Sequence, residues 1–151
     1  CLRWGGLVGE TDPFVIAING CGVPHTPIDS DPPYIVRALF PFGSPYVSVD
    51  PKGGGVVGQR YSLQGEIQRA HSRGPIRKDM LFDTAYSGIS AVIYSQLHPY
   101  CIFDPTMQHL KILHNPKARN PLPRGFLPTG FEYWYEDPYI KWERVGSTEP
   151  L

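Results

Sequence analysis

Runs of apolar residues along the chain predict the strands of a sheet. Residues 13–19 are apolar and rich in β-branched side chains up to an Asn-Gly pair, and residues 89–95 form a similar run. Apolar side chains on both faces are typical of strands that are covered on both sides. Residues 109–114 alternate in period two and predict a third strand. We therefore expect the segments around Val15 and Val92 to lie side by side in the interior of a layered sheet.

One helix and one hairpin are predicted in the first half of the chain. Residues 31–40 have a helical pattern, with Asp31 in a capping position and Pro32 at the first helical position. The apolar face of this helix consists of Ile35, Ala38 and Leu39. Residues 46–50 and 56–63 have extended character around a Pro-Gly turn and predict an antiparallel hairpin.

The remaining segments predict loops, a strap and an aromatic strand. Residues 64–80 are polar and basic, which favours an exposed loop. From Asn115 the chain is dense in proline, which cannot donate to a strand ladder, so we expect an extended strap over the surface. Residues 131–135 are interpreted as a final edge strand or an aromatic clamp, and residues 1–12 and 146–151 as flexible ends.

Composition and length restrict the fold class. The chain has 17 prolines and 16 glycines, which force many turns and argue against a helical bundle. Its length predicts a single domain over residues 1–151, and its start at Cys1 without an initiator Met indicates a piece of a longer protein. The patterns together predict an α+β, or mixed α/β, fold with a central mixed sheet of about five strands, one main helix and long Pro-rich surface straps.

Charge and cysteine content restrict partners and location. The formal net charge is zero, so nucleic acid would have to be held by a local basic patch. A neutral surface also favours association with a missing N-terminal segment or with a second copy. The sequence has neither a signal peptide nor an apolar run of the roughly 18 residues that a spanning helix requires, so no membrane partner is expected. Three cysteines without a CxxC pair favour free thiols in the cytoplasm, and a Cys21–Cys101 bridge is an open alternative.

Two basic loops contain the candidate binding residues. If both loops lie on one face, their cations could contact backbone phosphates; the alternative is an ordinary solvated charged surface. The candidate nucleic-acid-binding residues are Arg69, Arg73, Arg77 and Lys78 in the first loop and Lys117 and Arg119 in the second, with Arg124 nearby.

No catalytic constellation is visible, and no metal or cofactor is predicted. A metal-dependent nuclease core needs an Asp and a Glu-x-Lys or Asp-x-Lys triplet on a central strand, whereas the Asp-Pro-Lys at residues 50–52 lies at a turn. His109 and His114 point to opposite faces of a predicted strand, so they cannot ligate one metal from it. Cys21, in a Gly-rich loop near His25, leaves a small-molecule hydrolase as a third, weaker hypothesis.

Four segments resemble a family of uncharacterised bacterial proteins. The matching segments are Asp12–Asn19, Ile35–Phe40, Tyr86–Ile93 and Leu113–Pro123. The last is the most specific, because Asn-Pro, Ala and Pro-Leu-Pro occur together in it. In such proteins the matched region is the C-terminal half, and the preceding half is associated with restriction-endonuclease-like folds. The resemblance implies that the catalytic carboxylates and lysine lie upstream, and it assigns no role to Asn19, His114 or Asn115.

The leading hypothesis is therefore the C-terminal, nucleic-acid-associated half of a bacterial nuclease-like protein, without catalytic residues of its own. The alternative is a non-enzymatic protein-interaction or structural domain, in which the aromatic tail and the proline strap hold a partner chain. Binding of DNA through the basic loops separates the first hypothesis from the second, in which Trp134 and Trp142 are buried between chains.

Overall fold

A computed structural model describes residues 9–21, 32–68, 74–97, 110–137 and 139–146. The chain divides into two compact units, Cys1–Ile28 with Phe82–Leu151 and Asp29–Leu81. The single domain expected over residues 1–151 stays a prediction. In the described part of the chain, no helix is long and apolar enough to cross a membrane.

The described elements are mostly short strands. In chain order they are β1 (Val15–Asn19), α1 (Tyr34–Leu39), β2 (Phe42–Val49), β3 (Val56–Leu63), β4 (Glu66–Ile67), β5 (Ile76–Arg77), β6 (Ala91–Ser95), β7 (Lys111–His114), β8 (Gly130–Glu136) and β9 (Tyr139–Val145), with short 3-10 helices at Met80–Phe82 and Thr84–Tyr86. Five of the strands form one mixed sheet in the order β1-β6-β7-β8-β9. The predicted α+β class, with a mixed five-stranded sheet and one helix, is confirmed.

The two apolar segments do lie side by side. Strand β1 pairs with β6 in parallel, and Ile16 lies opposite Val92. Strand β7 is antiparallel to β6 and parallel to β8, and β9 returns antiparallel to β8. Parallel neighbours require a crossover connection, which is why the two apolar segments are far apart in sequence.

The predicted central position of β1 is wrong. Among the described strands, β1 is at the end of the sheet. Ile18 within it is 40% exposed, and Phe14 just before it is 56% exposed. Strand β6, with a similar composition, is enclosed by β1 and β7, and its Ala91 and Val92 are buried. An apolar, β-branched run therefore predicts a strand, but the order of the strands decides which run is covered.

The C-terminal hairpin also differs from expectation. Strand β8 lies between β7 and β9, so residues 131–135 are not an edge strand. The edge is β9, which the sequence patterns did not single out. Its alternation of Lys141, Trp142 and Glu143 is a period-two strand signal that follows directly on the β8 run.

A small core lies between the sheet and the proline strap. Ala91 of β6 and Ile112 of β7 form a buried cluster with Leu122, against which Val15 and Leu127 pack. Residues 115–129 contain no helix or strand, so the predicted strap, defined here as residues 115–129, is confirmed. The register of the sheet places Ala91, Ile112 and Glu132 on one face, which is therefore the face that the strap covers.

In the second unit, the helix begins later than expected. Helix α1 starts at Tyr34, and Pro33, without a side-chain cap, precedes it. A residue before proline disfavours helical geometry, so Pro32 cannot open the helix ahead of Pro33. The predicted apolar face is also wrong, because the fully buried residues are Val36 and Phe40, four positions apart, whereas Ala38 is exposed.

The predicted antiparallel hairpin of the second unit is confirmed as β2 and β3. The loop expected over residues 64–80 is partly ordered, because β4 and β5 pair across it. Residues 69–73, which lie between β4 and β5 in the sequence, are outside the described residues.

Candidate nucleic-acid interface

Asn115 fixes the start of the strap. Its side-chain amide donates to the carbonyl oxygens of Tyr86 at 3.0 Å and Ile89 at 2.7 Å, and its Oδ1 accepts from the N–H of Lys117 at 2.8 Å. Its own N–H donates to Ser90 O at 3.0 Å. A buried amide with all of these partners is a rigid turn element. The predicted pre-proline turn is confirmed, and Asn115 has a structural role.

Further bonds hold the middle of the strap on the sheet. The N–H of Arg119 donates to Ser87 O at 2.7 Å, and Ser90 Oγ donates to the carbonyl oxygen of Asn120. The Asn120 amide reaches Glu10 O at 2.8 Å. Leu122 then inserts into the core cluster. These hydrogen bonds are made by backbone groups and by the uncharged side chains of Ser90 and Asn120. The cationic side chains of Lys117 and Arg119 take no part in them and are exposed.

A buried carboxylate holds the far end of the strap. Glu132 of β8 is 0% exposed, and the N–H of Gly125 donates to its Oε1 at 2.9 Å and its Oε2 at 3.1 Å. Gly125 has a φ of +72°, a left-handed conformation that side-chain-bearing residues rarely adopt. His114 Nε2 lies 3.5 Å from Glu132 Oε2 and has no hydrogen-bond partner among the described residues. A buried carboxyl group needs hydrogen-bond partners, and the Gly125 N–H is one, so Glu132 is an anchor for the strap.

The strap is locally basic although the whole chain is neutral. From Asn115 to Phe131 the sequence contains Lys117, Arg119 and Arg124 and no Asp or Glu. All three cationic residues are exposed. The strap is therefore a locally basic segment of a neutral chain, which the net charge does not reveal.

Two aromatic side chains lie on or near the strap, and one of them contacts Arg124. The guanidinium of Arg124 lies 4.6 Å from the ring centroid of Trp134, within the range of a cation–π contact. Trp134 also hydrogen-bonds to Glu136, which accepts from Lys141 Nζ at 2.7 Å. The bond from Lys141, followed by that from Trp134, lowers the pKa of the Glu136 carboxyl. Phe126, 59% exposed, adds a second aromatic surface on the strap itself.

The predicted binding residues have different environments. Lys117 and Arg119 are exposed on the strap, in the first unit. In the second unit, Arg77 Nε is paired with Asp79 Oδ1 at 3.0 Å. Lys78 is buried, and its ammonium donates to the carbonyl oxygen of Phe42. Burial, followed by the charge of Arg37, lowers the pKa of Lys78.

This placement argues against a phosphate contact by Lys78, because its charge faces the interior of its unit. Arg69 and Arg73 lie outside the described residues. The association of the two basic loops on one face stays a prediction.

Other chemistry considered from the sequence has ordinary structural explanations. Asp50 Oδ1 accepts from the N–H of Lys52 at 2.9 Å, as expected for a hairpin turn. Cys21 is a free, exposed thiol, and its N–H donates to Asn19 Oδ1 at 2.9 Å. His25, Cys101 and His109 lie outside the described residues. Where the structure describes the chain, no group of three or more His, Cys, Asp or Glu side chains could hold a metal ion.

No protein-family model matches the chain, and neither the curated proteins nor the solved structures contain a match to it. The functional argument therefore depends on the geometry of the strap. Sequence reasoning found Lys117 and Arg119 but missed the Glu132 anchor. The sequence signal for Glu132 is limited to an acidic residue at an inward position of the aromatic strand over residues 131–135.

Proposed function

We propose that this chain is the C-terminal, nucleic-acid-associated half of a bacterial nuclease-like protein that works in the cytoplasm. In this proposal the catalytic carboxylates and lysine belong to a segment upstream of Cys1, and the present chain contributes binding. The observation that supports it is the pinned basic strap, on which Lys117, Arg119 and Arg124 are exposed without an acidic neighbour in sequence. The free thiol of Cys21 agrees with a reducing compartment.

Electrostatics support contact with a phosphate backbone. Each cation that replaces a condensed counterion adds affinity without reading the sequence of bases. The two backbone bonds at Lys117 and Arg119 fix the positions from which both side chains project. Because the strap backbone is already ordered, binding does not include the entropy cost of ordering this loop.

The aromatic side chains support single-stranded rather than duplex nucleic acid as the preferred partner. Sites for single strands combine a cationic track with rings on which bases stack. Phe126 is exposed on the strap, and Trp134, with Arg124 over its ring, lies on the same side of the sheet.

The proposal is tested by fluorescence anisotropy with a labelled single-stranded oligonucleotide at low salt. Lys117→Gln with Arg119→Gln should weaken binding by about tenfold or more, because two phosphate contacts are lost. Lys52→Gln removes a charge from an exposed turn of the other unit and should leave the affinity within about twofold. Arg73→Gln with Arg77→Gln tests the other predicted loop. Equal losses in the strap and control variants, or no binding by the parent chain, would refute the strap as the interface.

A protein-interaction domain is the second candidate function. Tyr139 and Trp142 of β9 are 58% and 51% exposed at the end of the sheet. Large aromatic side chains on a strand edge are typical of surfaces that associate with another chain. This candidate requires no nucleic acid, so the oligonucleotide experiment separates the two.

A further inference from the structure

Strand β9 is an exposed edge that can accept another strand. Five of its seven residues are exposed, and among the described strands none lies beyond it. An edge strand presents unpaired N–H and C=O groups on its outer side. Its length and its exposed Trp142 make it a template for pairing.

We propose that β9 pairs with β9 of a second copy of this chain, antiparallel about a twofold axis at Trp142, to form a ten-stranded sheet. A twofold axis perpendicular to a sheet keeps each face on its own side. In an antiparallel pair, residues that lie opposite each other share a face. An axis between two residue positions would place residues from different faces opposite each other, so the axis must pass through a residue position.

Charge complementarity selects Trp142 as that position. With the axis at Trp142, Lys141 of each copy lies opposite Glu143 of the other, which gives two pairs of opposite charge. An axis at Lys141 would place the two copies of that lysine opposite each other, and an axis at Glu143 would do the same with two carboxylates. Opposite charges directly across an antiparallel pair stabilise it, and like charges destabilise it.

The surroundings of these charges favour the same register. Within one chain, Glu143 lies opposite Glu132 of β8, a position of like charge, and it would gain a cation on its other side. Lys141 is bound to Glu136, but both side chains are about half exposed, so this ion pair holds Lys141 only weakly.

The opposite face of the pair is centred on the two Trp142 side chains, with Ile140 of each copy opposite Arg144 of the other. The two Trp142 side chains would lie across from each other, where each is already in contact with Phe131 at a centroid distance of 5.8 Å. A seven-residue edge is at the small end of specific interfaces, so we expect a dissociation constant of roughly 1–100 µM.

The dimer has a consequence for binding that rests on the proposed function. Because the twofold axis is perpendicular to the sheet, the straps of both copies lie on the same side of it. Two linked sites would then bind a long strand more tightly than a short one. The dimer itself does not depend on nucleic acid, so its test is independent of the strap.

Sedimentation equilibrium of the chain without nucleic acid tests the dimer. The parent chain should show a concentration-dependent monomer–dimer equilibrium. Lys141→Glu alone, or Glu143→Lys alone, should each weaken dimerisation by about tenfold or more, because two opposite-charge pairs become two like-charge pairs. An equimolar mixture of the two single variants should form a heterodimer, because every cross-strand pair in it again has opposite charges.

Lys52→Glu reverses a charge on an exposed turn of the other unit and serves as the control, with dimerisation expected to be unchanged. Circular dichroism checks that each variant is folded. A parent chain that stays monomeric at about 500 µM would overturn the proposal, given the affinity expected for this edge. A dimer that is insensitive to both single substitutions would rule out β9 as the interface, and a mixture that fails to pair would rule out the register.

Discussion

Strands β8 and β9 form one hairpin, and both place a Trp and a Glu within an aromatic pattern, but their environments are opposite. Glu132 of β8 and Glu143 of β9 are cross-strand partners, yet the first is 0% exposed and the second is exposed. The difference comes from their neighbours. Strand β8 has β7 on its other side and the strap above it, whereas no described strand lies beyond β9.

This contrast separates two uses of charge in one sheet. On β8 a carboxyl group is removed from water and accepts from a backbone N–H of the strap, so it fixes another segment in place. On β9 the charges stay in water, where they contribute little to the fold but can select a partner and a register.

The contrast is most sharply tested by removing each carboxylate in turn. Glu132→Ala should lower the free energy of unfolding by about 3–5 kcal/mol, because it leaves a cavity and removes the acceptor of the Gly125 N–H. Glu143→Ala should change it by less than about 0.5 kcal/mol, as is usual for an exposed residue. Urea denaturation, at a protein concentration well below the dissociation constant expected for the dimer, measures both free energies of unfolding. Similar values for the two variants would contradict the assignment of Glu132 as an anchor.

The strap offers a second, smaller test of buried against exposed positions. Leu122→Ala should cost about 2–4 kcal/mol of unfolding free energy, because Leu122 is almost fully buried against Ala91 and Ile112. Phe126→Ala, four residues on, should cost less than about 0.5 kcal/mol, because the ring is exposed. A larger loss at Phe126 than at Leu122 in urea denaturation would show that the strap is packed differently.

Lys78 provides the smallest test, through pH. Because its pKa in the folded state is lowered from 10.5, the unfolded chain binds more protons between the lowered pKa and 10.5. The contribution of Lys78 to stability should therefore rise with pH in that window. Urea midpoints of the parent chain and of Lys78→Met, compared from pH 7 to pH 10.5, should diverge in favour of the parent. A constant difference would show that Lys78 titrates normally in the folded state.

Much of the fold was predictable because strands leave local signals. The β-branched runs at β1 and β6, the Pro-Gly turn of the β2–β3 hairpin and the proline-dense strap all follow from nearby residues. The order of the strands in the sheet does not follow from nearby residues, which is why β1 was expected in the centre and β8 at the edge. The burial of a strand depends on which distant strands pair with it, and no local sequence pattern contains that information.

The same limit applies to the candidate site. Lys117 and Arg119 were identifiable as exposed cations because they lie between prolines in a polar loop. The burial of Lys78 and the anchoring of Gly125 by Glu132 were not, because each depends on a carbonyl or a carboxylate from a segment elsewhere in the fold. Asn115 is intermediate: its turn was predicted, but not the two carbonyls that hold its amide.

The salt dependence of oligonucleotide binding tests the central claim most directly, because only ionic contacts with phosphates make affinity fall steeply with salt. If the three strap cations contact a single strand, the logarithm of the association constant should fall with the logarithm of the salt concentration with a slope of about −2. Lys117→Gln with Arg119→Gln should reduce that slope by more than half. A slope near zero in the parent chain, or one that these substitutions leave unchanged, would contradict the account.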